Sequence, residues 1–185
     1  RILHRAAPHL EVHYDGMGTR VTQVWMDCPE LIREPKSLRK AWHWCRRVRS
    51  KSDRKKALDA DVIVTTSGML DGGPAIWYVN RLRHNPANAI LLTGYQAEGS
   101  GGRMLLDERK LPIYGKKTLV DLEVTQFSLS NHGGHKELVE FARQCSPEHV
   151  IIFHADKEPA MALKEDLESD MKVHIPENGQ SLVID

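Results

Sequence analysis

The order of apolar and amphipathic segments predicts an α/β fold: a doubly wound unit over residues 1 to about 118, then a thinner α/β layer over 119–185. Three observations predict it. Short continuous apolar runs at 62–64, 89–93 and 150–153 alternate with amphipathic stretches, the order that gives parallel strands joined by helices. Glycine-rich loops at 72–73 and 99–102 stand where a strand passes into a helix. The composition, 41% hydrophobic and 28% charged, supports a packed core and argues against disorder.

Taken in order, residues 11–15 alternate and close in Asp15-Gly16, a short strand and turn. Thr19 is placed to cap a helix over 20–26, and Ser37 to cap a second, whose Leu38, Trp42, Cys45 and Val48 form its apolar stripe. Lys40, Trp44 and Arg47 lie on that helix's other face. A third helix is expected over 52–58. Val62-Ile63-Val64 is continuous and apolar, as a strand covered on both faces would be. A helix opened by Gly72-Gly73-Pro74 places Ile76, Tyr78, Val79 and Leu82 inward. A strand at 89–93, a second glycine-rich loop and a strand at 119–125 follow. The remainder is expected to run as a strand ending in His132, a helix, a strand ending in His154, a helix over 158–167, and a hairpin of 172–175 with 181–184 about Pro176-Glu177-Asn178-Gly179.

The net charge of +1 conceals an asymmetry. Between Arg33 and Lys56 stand eleven Lys and Arg against Glu34 and Asp53, an excess of nine positive charges, so the remaining residues carry −8. A concentrated basic patch suits a polyanionic partner. Three widely spaced cysteines, Cys28, Cys45 and Cys145, argue for a reducing, cytoplasmic setting and buried thiols, and the absence of Cys-x-x-Cys argues against a structural zinc knuckle. No apolar run reaches membrane-spanning length.

Chemistry gathers in four places. In the first glycine-rich loop, Thr66, Ser67, Gly68, Gly72 and Gly73 let backbone N–H groups and hydroxyls approach a phosphate at a helix N-terminus; an ordinary glycine-rich turn reads the same way. In the second, Ser100, Gly101 and Arg103 repeat the pattern, and Arg103 suits either a phosphate or a surface pair with Glu98 or Asp107. Trp44, among the basic residues, suits stacking on a base or packing beneath arginine stems. His132 and His154 end successive strands, where open α/β sheets place ligands, although a lone histidine at a strand end is more often a structural hydrogen-bonder. His135 falls on a helix surface.

These residues together resemble the β-CASP branch of the metallo-β-lactamase superfamily, nucleases of RNA processing and decay. The cleavage-and-polyadenylation type is most similar, with ribonuclease J more distant. The resemblance rests on Val12–Met17, Val62–Pro74, Gly94–Arg103, Ser130-Asn131-His132, Phe153-His154 and 174–179, in family order. It implies a β-CASP cap over 1–118 and the C-terminal part of a metallo-β-lactamase αββα fold over 119–185. It also implies His132 as the proton donor to the leaving oxygen and His154 as a zinc ligand. The glycine-rich loops would be RNA-backbone contacts, with two zinc ions in the full-length parent and homodimers as a possible assembly. A histidine at 154, where other members have valine, is associated with RNA-acting members. Two departures count. Gly134 stands where the family has aspartate, and the His-x-His-x-Asp-His cluster occurs nowhere in the chain. The chain is therefore expected to be a C-terminal piece of a zinc-dependent ribonuclease, inactive and not tightly zinc-binding alone, partnered by RNA and by an N-terminal metallo-β-lactamase segment. The alternative is a non-catalytic RNA-binding or scaffold relative of the same fold.

Overall fold

The computed structural model describes residues 2–129 and 132–184. Its chain divides into two units, Arg1–Leu129 and Ser130–Asp185.

The first unit begins with a short helix, α1 (Ile2–Ala6), and strand β1 (Val12–Asp15). Helices α2 (Gly18–Asp27) and α3 (Pro35–Trp44) follow, then β2 (Arg46–Arg47), α4 (Lys51–Lys56) and β3 (Val62–Thr65). The caps differ from those expected. α2 starts at Gly18 with Thr19 inside it, and α3 starts after Glu34, with Pro35 replacing Ser37 at its head. Proline already holds the φ a first turn needs. α4 is capped by Ser50, whose hydroxyl accepts from the Asp53 N–H at 3.1 Å.

β2, β1 and β3 form a parallel sheet in that order. β1 is central and buries Val12, His13 and Asp15, whereas all four residues of β3 are only half-buried. The sequence predicts β3 as the strand covered on both faces, but it lies at the sheet's edge.

α5 (Gly73–Leu82), β4 (Ala89–Leu92), α6 (Gly101–Glu108) and a hairpin of β5 (Lys110–Ile113) with β6 (Lys116–Leu119) come next, and β7 (Glu123–Gln126) pairs parallel to β4. The single strand expected over 119–125 is thus the end of a hairpin and the start of another strand. Tyr114 and Gly115, both with positive φ (48° and 80°), make the two-residue turn that fits strand twist. The core of the unit joins α5, β4, α6 and the hairpin through Ile76, Val79, Leu92, Leu105, Leu111 and Val120.

In the second unit, α7 (His135–Cys145), β8 (His149–Ile151), α8 (Lys157–Leu167) and β9 (Lys172–His174) form a strand–helix–strand crossover, with β8 and β9 parallel. α7 is tied to α8 by His135 to Asp166 (2.6 Å) and to the turn beyond α8 by Arg143 to Asp170 (3.0 Å). Val139, Ile152, Ala160 and Leu167 are its buried side chains. The terminal hairpin does not form. The turn is present, with Gly179 at φ 84° and Gln180 N–H donating to Glu177 O at 3.0 Å, but 181–184 form no strand and β9 pairs with β8 instead. The thiols also differ from expectation: all three are free, Cys28 and Cys45 half-buried and Cys145 exposed.

Candidate functional site

The two glycine-rich loops lie against each other and do opposite things. In the second, every donor at the head of α6 is spoken for. Gly101 N–H donates to Asp71 Oδ1 (2.7 Å), Gly102 N–H to Met69 O (2.7 Å) and Arg103 N–H to Ser100 Oγ (3.2 Å). Buried Gln96 donates to the carbonyls of Gly68, Gly94 and Tyr95 at 3.0–3.2 Å. Glycine is required at 101 because a Cβ there would lie 2.4 Å from the backbone oxygen of Leu70. Ser100 and Gly101 are buried; Ser100 caps its own helix, and the Gly101 N–H holds loop to loop. Arg103 forms a two-pronged pair with Asp107, both contacts 2.8 Å, which is the surface pairing that the sequence left open.

The first loop stays open. A Cβ added at Gly68 or Gly72 would meet nothing within 4 Å, and the N-terminus of α5 has no side-chain cap. Ser67 and Gly73 adopt positive φ, 77° and 66°. Thr66 Oγ1 accepts from Met17 N–H at 3.2 Å. Backbone donors at an uncapped helix start beside unfilled space suit an anionic oxygen.

A cluster that the sequence reading missed lies at the end of β1. Asp15, 3% exposed, accepts from Arg54 Nε (2.6 Å) and Nη2 (3.1 Å) and from Tyr78 Oη (2.9 Å). Burial, then the bond to Asp15, pushes the Tyr78 phenol well above its ordinary range. Just before β1, Glu11 Oε1 accepts from Arg46 of β2 (2.7 Å) and lies 2.8 Å from His13 Nε2. Part of the basic segment is therefore internal wiring. Trp44 is also wired in, with Nε1 donating to Pro8 O at 3.1 Å and the ring edge-on to His4; it packs rather than waiting for a base. Trp42 is buried, as its place on the apolar stripe predicts.

In the second unit both singled-out histidines are exposed. Ser130 and Asn131, which precede His132 in the motif, lie outside the described residues. The strands end earlier than expected: β7 stops at Gln126 and β8 at Ile151. His132 therefore sits in the segment entering α7 and His154 in the loop between β8 and α8. His154 adopts φ 59°, a left-handed backbone that a non-glycine residue takes at a cost. Beside it Phe153 is 77% exposed. At Gly134, where the family motif has aspartate, α7 begins with no side chain to cap it; Glu137 compensates by accepting the Gly134 N–H at 2.7 Å.

The family model described as the Beta-Casp domain matches residues 2–105. The chain belongs to the β-CASP family. A second model, described as the Zn-dependent metallo-hydrolase RNA specificity domain, matches residues 119–176 of this β-CASP protein. Among curated relatives, the "Probable RNase MJ4" of Methanocaldococcus jannaschii is 35% identical across 94% of the chain and 42% of the relative. The "RNase aCSPSF2" of Saccharolobus solfataricus is 33% identical across 92% of the chain and 35% of that protein. The "Transcription termination factor FttA" of M. jannaschii is 32% identical across 79% and 26%. The β-CASP chain thus spans less than half the length of each.

The family's zinc can be tested against these side chains. Among the described residues, no three His, Cys, Asp or Glu come close enough together to hold a metal ion. The exposed imidazole of His154 is a sound single donor, but structural and catalytic zinc sites need at least three protein ligands. The described residues therefore do not make a zinc site by themselves.

Proposed function

We propose that this chain supplies the RNA-holding cap and two working histidines of a zinc-dependent ribonuclease, whose remaining metal ligands come from a metallo-β-lactamase segment outside the chain. The observation that carries the reading is His154: an exposed imidazole on a left-handed backbone, three residues past the end of β8. Exposure leaves it little to contribute to packing, and strain of this kind gathers at functional sites. His154 acts as one zinc ligand. His132, also exposed, gives a proton to the oxygen that leaves when the phosphodiester breaks. The open first loop, through Thr66, Ser67, Gly68, Gly72 and Gly73, holds the RNA backbone with N–H groups and hydroxyls. The second loop supports it from behind, and Arg103 exchanges Asp107 for a phosphate when RNA is present. The cations between Arg33 and Lys56 that form no ion pair among the described residues add sequence-independent attraction.

Two measurements test this. Single-stranded RNA should bind the chain with an affinity that falls steeply between low and physiological salt; affinity indifferent to salt would contradict phosphate contacts. The chain alone should not cleave RNA with added zinc, and robust zinc-dependent cleavage by it would overturn the division of ligands.

A further inference from the structure

The basic segment lines one cavity in the first unit, of about 370 Å³, bounded by Gln23, Met26 and Asp27 of α2, Arg39, Trp42 and His43 of α3, and Arg47 of β2. Small-molecule sites begin at this size. Its chemistry is selective. Arg46 and Arg54 are paired with Glu11 and Asp15, but Arg39 and Arg47 form no ion pair among the described residues. Arg47 lies over the Trp42 ring at 5.5 Å. Trp42 is 7% exposed, and its Nε1 is buried without a hydrogen-bond partner. His43 Nδ1 donates to Arg39 O at 2.7 Å, since a carbonyl can only accept, which leaves Nε2 for another partner. Asp27, held by Gln23 at 3.0 Å, is the one acid in the lining.

We infer that this cavity is a nucleotide subsite, filled by one residue of a single-stranded RNA. The inference rests on the RNA reading above and deepens it. The Arg39 and Arg47 guanidiniums take the phosphate oxygens. The Asp27 carboxylate, unhelpful to a bare anion, accepts from ribose hydroxyls or a base amino group. Met26 offers apolar surface beside the base. None of this involves His132, His154 or the glycine-rich loops, so the subsite adds grip on the strand apart from the chemistry.

The test follows the four indole N–H resonances of the 15N-labelled chain, with Trp42 assigned through Trp42→Phe, while adenosine 5′-monophosphate, inorganic phosphate and a short oligouridylate are titrated in. The mononucleotide and the oligonucleotide should each shift the Trp42 resonance saturably and leave Trp44 and Trp77 in place. Arg39→Gln with Arg47→Gln should weaken mononucleotide binding at least 10-fold, and Arg39→Lys with Arg47→Lys, a gentler change that keeps the charge, should weaken it less. Asp27→Ala should reduce the preference for the nucleotide over phosphate. If the oligonucleotide binds with steep salt dependence and Trp42 does not move, the subsite is overturned and the RNA reading stands. If phosphate binds as tightly as the nucleotide, the nucleotide assignment is overturned. If no probe binds, both readings fail.

Discussion

Asp15 and His154 both stand at the C-terminal side of a parallel strand, and their surroundings are opposites. Asp15 is 3% exposed, with Arg54 and Tyr78 filling its oxygens. His154 is exposed, on a backbone that disfavours it. A buried charge is tolerable only when its partners are in place, so the Asp15 cluster answers to folding. An imidazole held out in solvent at a conformational cost is what the proposed role of His154 as a metal ligand would require. Changes at the first cluster should therefore register in stability, and changes at the second in activity.

The sharpest way to break the comparison is Arg54→Met, which leaves Asp15 buried with Tyr78 alone. It should destabilise the first unit by about 3–5 kcal/mol, read from urea unfolding; a loss near zero would show that Asp15 is hydrated. Gly101→Ala, forcing a Cβ against the Leu70 carbonyl, should cost about 1–3 kcal/mol, whereas Gly68→Ala, which meets no atom, should stay within about 0.5 kcal/mol. Equal effects would erase the distinction between the closed loop and the open one.

Tyr78→Phe should cost about 1 kcal/mol at neutral pH. It should also soften alkaline unfolding. The folded phenol's pKa is raised, so its stabilisation is complete below the unfolded value, about 10, and is lost as pH rises through the folded one. A pH–stability curve unchanged by the substitution would contradict this. The smallest effect has the opposite sign. His154→Gly should stabilise by about 0.5–1 kcal/mol, since glycine accepts φ 59° freely; a lower melting temperature would mean that the ring packs after all.

Local signals in the sequence marked out much of the first unit. The α5 and α6 starts are legible because a strand, a glycine-rich loop and an apolar-periodic stretch adjoin. The β5–β6 hairpin is not, because Pro112 interrupts the strand pattern and the turn hangs on two residues, Tyr114 and Gly115. The Asp15 cluster is invisible to any window: its partners lie 39 and 63 residues away, and Asp15-Gly16 reads as a turn. The terminal hairpin fails for a related reason, since the turn residues are present but β9 has a nonlocal partner in β8. His132 and His154 are legible as motif residues alone; periodicity places the strand ends at them, and the strands stop short.

The decisive measurement is single-stranded RNA cleavage by this chain joined to the metallo-β-lactamase segment proposed to carry the remaining metal ligands, comparing His132→Ala and His154→Ala with the unaltered protein alongside their melting temperatures. The account predicts that each substitution lowers the cleavage rate by about 100-fold or more while leaving the melting temperature essentially where it was. Cleavage at the original rate with either histidine removed would contradict it.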